Sequence, residues 1–295
     1  MNKKRHLIYD YLRHEKRFPH VWCPGCGNGI VLGSLIRTIH KMQFSKDDIA
    51  LVSGIGCSGR MSVYVDFATL HTTHGRALTF ATGLKLAQPR LKVIVVMGDG
   101  DATAIGGNHL IHAARRNVDL TAIVINNNIY GMTGGQFSPT TPYGLRATTA
   151  PHGHVEHRFN ISRLVETAGG SYVARGTVYH VRLLDRLLEK ALRKTGFALV
   201  EVMSTCATHF GKINLRGSAV DEMRWMKDHA VAVEKTEGMK PEELSGKYRI
   251  GVLADRDILD YQTEYDEVRR RAKQDRAYRP SPKDVSRMLE SCQFY

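Results

Sequence analysis

Residues 92–128 read KVIVVMGDGDATAIGGNHLIHAARRNVDLTAIVINNN. Lys92–Met97 is a short apolar, β-branched run and predicts a buried strand. Asn108–Arg116 follows with helical spacing, and Leu120–Asn126 is a second apolar run ending in asparagines. Strand, helix and strand in one short stretch define a βαβ unit, and hence a parallel sheet with helices on its faces. Working outward, the same alternation predicts strands at Ile49–Val52, Tyr172–Ala174 and Ala198–Met203. Helices are expected near Gly29–Lys41, Arg76–Ala87, Ile161–Ala168 and Val178–Thr195. Gly169–Gly170 and Gly196 follow two of these helices, where a left-handed residue ends the turn. The fold class is therefore α/β, a doubly wound, mostly parallel sheet.

Four unusual segments fall at the carboxyl ends of these strands: GIGCSG after the first, GDGD after the second, NNNIYGMTGGQ after the third and STCATHFG after the last. That edge is where open α/β sheets bind ligands. Asp99 in GDGD can bind Mg2+, a hard ion that takes oxygen ligands beside phosphates. The helix starting near Gly107–Asn108 is expected to offer free N–H groups to an anion. The interval between Asp99 and Asn127 sets the two on adjacent strand ends.

The cysteines form a second pattern. Cys23 and Cys26 lie in WCPGCGNG, Cys57 in GIGCSGR and Cys206 in STCATHFG. CPGCG alone reads as a zinc knuckle, but a ribbon needs a second C-x-x-C about 15–20 residues on, and none follows. Four thiolates from separate loops can hold a 4Fe–4S cluster, with Gly25, Gly27, Gly56 and Gly59 letting backbone N–H groups approach the sulfides. Cys292 is read as a bystander. His152, His154 and His157 in PHGHVEH lack a further ligand at a standard spacing and read as part of a long functional loop over residues 131–158. His71 suits a core position and His74, before Gly-Arg at a helix start, a functional one; Arg60 and Arg146 are candidates for binding a carboxylate.

Composition bounds the partners. The chain has 295 residues and a formal net charge of +13, without aromatic and arginine interleaving that would suggest nucleic-acid reading. An acidic protein or a phosphate-bearing substrate suits that charge equally well. No run approaches the roughly 20 apolar residues of a membrane helix, and MNKKRHLIYDYLRHEKRF is not a secretory signal. Five cysteines without an export signal fit a reducing cytoplasm. Residues 1–211 are expected to form one domain. Residues 212–295, polar and charged, are expected to form a helical extension on the core or a partner, with helices near Ala219–Val231, Tyr265–Lys273 and from Ser281.

Together WCPGCG, GIGCSGR, HTTHGRA (His71–Ala77), GDGDATAIGGNHLIHAARRN, NNNIYGMTGGQFSPTT and STCATHFG resemble the β subunits of 2-oxoacid:ferredoxin oxidoreductases over residues 15–215. The resemblance implies a thiamine-diphosphate-binding fold. It implies Cys23, Cys26, Cys57 and Cys206 as ligands of one 4Fe–4S cluster, and Asp99, the Asn127 side chain and the Ile129 carbonyl as Mg2+ ligands. Ile55, Gly56, Cys57, Ser58, His74, Gly100, Asp101, Asn127, Gly131 and Met132 are implied as contacts of thiamine diphosphate, with Ser58 and His74 as the catalytic candidates. Gly134 stands where some relatives carry a lysine, so that residue's role is not carried over.

The implied reaction is the reversible, coenzyme A-dependent oxidative decarboxylation of a 2-oxoacid, with electrons passing to ferredoxin. The chain is most similar to the 2-oxoglutarate-specific members; pyruvate and branched-chain 2-oxoacids are alternatives. A pyrimidine-binding α subunit is expected to complete the site, in an α2β2 assembly. Two other readings are a zinc-stabilised nucleic-acid-binding protein and a non-redox thiamine-diphosphate decarboxylase.

Overall fold

The computed structural model describes residues 6–13, 19–215, 217–240, 242–274 and 280–292, with side chains of 288–292 outside the description, so the Cys292 thiol and parts of the N-terminal stretch read above lie outside the described residues. Its strands are β1 (Ile49–Ser53), β2 (Ala68–His71), β3 (Lys92–Gly98), β4 (Thr121–Asn126), β5 (Ile129–Tyr130), β6 (Gln136–Phe137), β7 (Tyr172–Thr177), β8 (Ala198–Met203), β9 (Ala230–Ala232) and β10 (Tyr248–Asp255). Its helices are α1 (Asn28–Met42), α2 (Met61–Tyr64), α3 (Ala77–Ala87), α4 (Asp99–Thr103), α5 (Gly107–Arg115), α6 (Ile161–Thr167), α7 (Val181–Arg193), α8 (Ala219–His229), α9 (Tyr261–Lys273) and α10 (Pro282–Cys292).

Among the described residues the main sheet runs β2-β1-β3-β4-β8-β7-β10-β9. Neighbours from β2 to β7 pair in parallel, while β10 pairs antiparallel with β7. Both faces of the central strands are covered, which is why they read as continuous apolar runs. Successive residues divide between two cores. Ile94 and Val96 pack with Leu35 and Ile39 of α1 and Leu184 and Leu188 of α7. Val93, Val95 and Met97 pack on the other face with Leu78 of α3 and Leu110 and Ala114 of α5. In α7 the buried Leu184, Leu187, Leu188, Ala191 and Leu192 follow helical spacing, so one stripe faces the sheet. Gly169 and Gly196 both hold positive φ, 96° and 95°, after their helices.

The chain passes from β1 outward to β2 on one side and from β3 to β4 on the other. The loops after β1 and β3 therefore diverge and leave a crevice at the strands' carboxyl ends. Register completes the placement: Gly98 pairs with Ile125, and Asn126 with Met203, so the segments after β3, β4 and β8 emerge side by side.

Three strands of this sheet were not expected from the sequence. β2 (ATLH) is a short exposed edge without an apolar run. β9 and β10 belong to the segment after residue 211, whose expected content was helical; β10 adds to the free edge of β7. The expected helices are also present there, as α8, α9 and α10.

Glu201 of β8 and Arg175 of β7 form a buried ion pair, 2.9 Å from Arg175 Nε to Glu201 Oε2. Asn126 Nδ2 donates to the same carboxylate at 2.8 Å, and Ser162 Oγ donates to it as well. Burial alone would raise Glu201, but Arg175, Ser162 and Asn126 hold it below the ordinary carboxylate value. Its contribution to stability is thus present above the unfolded value and lost as pH falls through the lower folded one. Arg175→Met leaves the carboxylate uncompensated and is expected to cost about 3–5 kcal/mol near pH 7 in urea unfolding. Without its partner Glu201 takes up a proton more readily, so the deficit should shrink towards about pH 4. A deficit unchanged with pH would show that lost packing, not charge, is the cause.

Candidate functional site

The crevice holds a cavity of about 250 Å³ lined by every cofactor contact the resemblance implied: Ile55, Gly56, Cys57, Ser58, His74, Gly100, Asp101, Asn127, Gly131 and Met132, with Asp99 and Ile129 beside them. Asn28, Gly98, Ile125, Tyr130 and Thr133 complete the lining. The start of α5 does not line it. Asp99 already opens the short helix α4 directly after β3, so Gly98–Asp101, and not Gly107–Asn108, faces the cavity.

Asp99 is 2% exposed. Its Oδ2 accepts from Ser138 Oγ at 2.6 Å and from Thr140 Oγ1. Burial pushes its carboxyl up to about 6, with these two hydroxyls pulling the other way. Its Oδ1 belongs to a second group. One terminal atom of the Asn127 carboxamide lies 2.7 Å from the Ile129 carbonyl oxygen and 3.1 Å from Asp99 Oδ1. With nitrogen in that place the amide donates to both oxygens. With oxygen there, it accepts from the Ile129 N–H at 3.4 Å and lies beside two further oxygens, the donor type a small hard cation takes. Oxygens bound to Mg2+ at 2.0–2.1 Å in an octahedron lie about 2.9 Å apart, so the spacing fits that ion.

Asp101, also 2% exposed, anchors the other wall. Its Oδ1 takes the Gly75 N–H at 2.8 Å and the Ile55 N–H at 3.4 Å, and stands 2.6 Å from His74 Nδ1. Burial raises its carboxyl despite these partners. Gly54 is required here, since a Cβ would fall 1.7 Å from Asp101 Oδ2. Gly100 is required too: its Cβ would enter the Tyr130 ring, whose hydroxyl donates to the Gly100 carbonyl at 3.1 Å. Among the residues lining the cavity, three buried polar atoms have no protein partner, Asn28 Oδ1, Ser58 Oγ and Asp101 Oδ2. Unsatisfied buried groups beside a cavity mark places where a ligand supplies the missing bond.

The four sequence-predicted cysteines are free and come together behind this cavity. Trp22 Nε1 donates to the Cys57 carbonyl at 2.7 Å, and Thr205 Oγ1 to the Gly25 carbonyl at 2.7 Å, so the three cysteine loops are tied to one another. A Cβ at Gly131 would lie 3.4 Å from Cys206 Sγ and 3.7 Å from Cys57 Sγ. Burial pushes Cys57 and Cys206 up to about 11 and also raises Cys26; the neighbouring cysteines' charges add to this for all three. Yet among the described residues no three His, Cys, Asp or Glu side chains close on a point that one metal ion could occupy.

Other candidates lie apart. Arg60 reaches Met132 Sδ at 3.9 Å at the rim, whereas Arg146 is exposed and donates to the Pro151 carbonyl. His154 is buried against Phe137, while His152 and His157 are exposed. His71 is exposed and 2.9 Å from Ser53 Oγ, not in the core. Gly134 sits in a tight turn at φ 114°, a conformation a lysine would adopt only under strain. Sequence reasoning missed Ser138, Thr140 and Glu222. The first two are the donors in FSPTT, legible only as a Ser/Thr cluster just after the asparagine strand end. Glu222 gave no signal, being one acid in a charged helix.

Residues 54–202, the part that carries the cavity, match the family "thiamine pyrophosphate enzyme, C-terminal TPP binding domain". The chain is 52% identical over 255 residues to 2-oxoglutarate synthase subunit KorB of Methanothermobacter marburgensis, covering 86% of this chain and 89% of that one. It is 59% identical over 200 residues to the KorB subunit of Archaeoglobus fulgidus, covering 68% and 74%. A solved 2-oxoglutarate:ferredoxin oxidoreductase from Magnetococcus marinus, with 2-oxoglutarate, coenzyme A and succinyl-CoA bound, superposes with a TM-score of 0.81 at 31% identity, covering 97% of this chain and 96% of that one. The chain therefore belongs to the β subunits of the 2-oxoacid:ferredoxin oxidoreductases, of the 2-oxoglutarate type, a family of oxidoreductases with a thiamine diphosphate-binding domain.

The packing at Gly54 is testable against an open glycine. Gly54→Ala should lower stability to urea by about 1–3 kcal/mol, since the added methyl must displace Asp101 from its donors. Gly83→Ala, on the exposed face of α3 with nothing near its Cβ, should be neutral or stabilise by up to about 1 kcal/mol. Equal effects of the two would contradict the account of Asp101.

Proposed function

We propose that this chain is the thiamine diphosphate- and 4Fe–4S-carrying β subunit of a 2-oxoglutarate:ferredoxin oxidoreductase. The observation that carries the reading is the adjacency of two sites. The Asp99–Asn127–Ile129 oxygens floor a cavity that shares the Cys57 turn and Gly131 with four thiols. Asp99 Oδ1, the Asn127 amide oxygen and the Ile129 carbonyl would hold Mg2+, and through it the diphosphate. Cys23, Cys26, Cys57 and Cys206 would hold the cluster. Four thiols gathered from three loops, with no second C-x-x-C in the sequence, suit a cube that interposes inorganic sulfide.

When bound, thiamine diphosphate supplies the electron sink for breaking the bond between the 2-oxo carbon and the carboxylate. In the net reaction that bond breaks with release of CO2, the acyl carbon joins the sulfur of coenzyme A, and the thiol proton is released. The electron pair leaves one electron at a time to ferredoxin. The chain's own part is to orient and to exclude water. His74, held by Asp101, and Ser58, with its free hydroxyl, face the cavity and are the groups placed to position substrate.

The acids lining the cavity are Asp99 and Asp101, each already engaged by donors from neighbouring loops, so the carboxylate needed beside the cofactor's pyrimidine ring must come from elsewhere. We assign it to an α subunit, in an α2β2 complex. Residues 1–211 are proposed as the cofactor-binding domain and 212–295 as an extension on it. Among the described residues no helix is long and apolar enough to cross a membrane; a reducing cytoplasm is the proposed location.

The test is anaerobic co-purification with the α subunit. A brown protein with about four iron and four sulfide per β chain is expected, reducing a viologen with 2-oxoglutarate only when coenzyme A is present. Pyruvate and branched-chain 2-oxoacids are assayed alongside. A colourless, zinc-bearing protein would overturn the cluster assignment, and full activity of the isolated chain would overturn the α subunit. Asp99→Ala should weaken Mg2+-dependent binding of thiamine diphosphate, measured by calorimetry, at least about tenfold.

A further inference from the structure

Helix α8, in the segment after residue 211, lies against the cysteine loops. Ser218 and Asp221 cap its start reciprocally, with the Ser218 N–H donating to Asp221 Oδ2 at 2.8 Å. Its first residue, Ala219, packs so tightly on the Cys23–Cys26 turn that a Cβ at Gly25 would fall 2.3 Å from the Ala219 Cβ. Glu222, one turn on, is 2% exposed. Its Oε1 accepts the Cys206 N–H at 3.0 Å, and its Oε2 is buried without a partner. Gly211 makes room for it, since a Cβ there would lie 2.9 Å from Oε2. The Cys206 carbonyl is taken by the Gly211 N–H at 3.0 Å, so both backbone polar groups of Cys206 are fixed.

A carboxylate buried with one oxygen unsatisfied, beside thiols that carry negative charge when they bind metal, is unfavourable for the fold alone. Its place is explained by what it holds. We propose that Glu222 is a positioning residue for the four-cysteine site: it fixes the Cys206 backbone so that this sulfur meets Cys57, and the site closes only with α8 docked. This rests on the reading of the four thiols as the cluster site given above.

The test uses the αβ complex with Glu222→Ala, Glu222→Gln and Glu222→Asp, and the metal-free complex beside it. Glu222→Gln keeps a carbonyl oxygen for the Cys206 N–H and should keep wild-type iron, sulfide and the reduced-cluster electron paramagnetic resonance spectrum. Glu222→Ala should hold less than about half the wild-type iron, with an altered spectrum. In metal-free protein it should also let iodoacetamide alkylate Cys206, located by peptide mass spectrometry, at least about fivefold faster. Should Glu222→Ala fail to fold, Glu222→Asp decides, since it keeps the charge but withdraws the acceptor by one methylene and should lose iron likewise. Wild-type iron and spectrum in Glu222→Ala or Glu222→Asp, or depletion in Glu222→Gln as deep as in Glu222→Ala, would overturn the proposal. Absence of iron from the wild-type complex would instead overturn the cluster reading, while the alkylation rates would still report on the link between Glu222 and Cys206.

Discussion

Two carboxylates withdrawn from water two residues apart, Asp99 and Asp101, constrain the whole carboxyl edge of the sheet. Burial drives both towards the neutral form, while hydrogen-bond donors, and at Asp101 the electrostatic pull of His74 as well, act the other way. Asp99 draws in Ser138 and Thr140 from the segment after β6. Asp101 draws in the N–H groups of Ile55 and Gly75 and the ring of His74, from the loops after β1 and β2. Loops from three strand ends therefore fold back over β3. The cavity is the space they leave, and its shape is a consequence of satisfying those oxygens. The same demand explains why Gly54 and Gly100 carry no side chain, since each would displace a carboxylate or the tyrosine that covers one.

The second constraint is the thinness of the wall between cavity and thiols. Gly131 lines the cavity on one side and stands against the sulfurs of Cys57 and Cys206 on the other. Cys57 contributes to both, its turn opening at Gly56 with φ 103°. A cofactor and a cluster in these places would be separated by little more than one backbone turn. Such proximity favours single-electron passage without any moving part. It also explains why the Asn126–Asn128 turn is braced from behind: Asn126 bonds to Glu201, whose charge is held by Arg175. A shift there would move Asn127 and Gly131 together.

How much of this was legible in the sequence depends on the range of each interaction. The apolar runs of β3, β4 and β8 and the glycine-rich turns after them are local signals, and they placed the sheet; the ten cofactor contacts came from the resemblance of whole motifs, and all of them line one cavity. The cysteines were legible because C-x-x-C and two isolated turns, Gly-Cys-Ser and Thr-Cys-Ala, have few other uses. What escaped was set by tertiary contact. β2 and β10 are strands because a neighbouring edge is free, not because ATLH or YRIGVLAD announces one. Thr140 and Ser138 reach the Asp99 carboxylate only because the hairpin of β5 and β6 folds over it. The helix start at Gly107 had the right composition for an anion site, but α4 intervenes and turns it away. Glu222 is indistinguishable in sequence from the exposed acids around it.

The segment after residue 211 illustrates how one element meets two needs. A sheet ending at β7 would expose a row of unpaired backbone groups, and β10 covers them, bending at a register shift between Val252 and Ala254. The free edge passes to β9, only three residues long, which offers little to a further strand. The chain that reaches this edge must first cross from β8 past the cysteine loops, and α8 is the part that makes the crossing. Its seat is therefore dictated at both ends, by the π-helix at Ala207–Leu215 that follows Cys206 and by β9, which begins where the helix ends and pairs with β10. A helix pinned in this way can hold a buried carboxylate against the Cys206 backbone without freedom to relax from it. The segment thus shapes the thiol site from outside the stretch of sequence in which the thiols themselves are found.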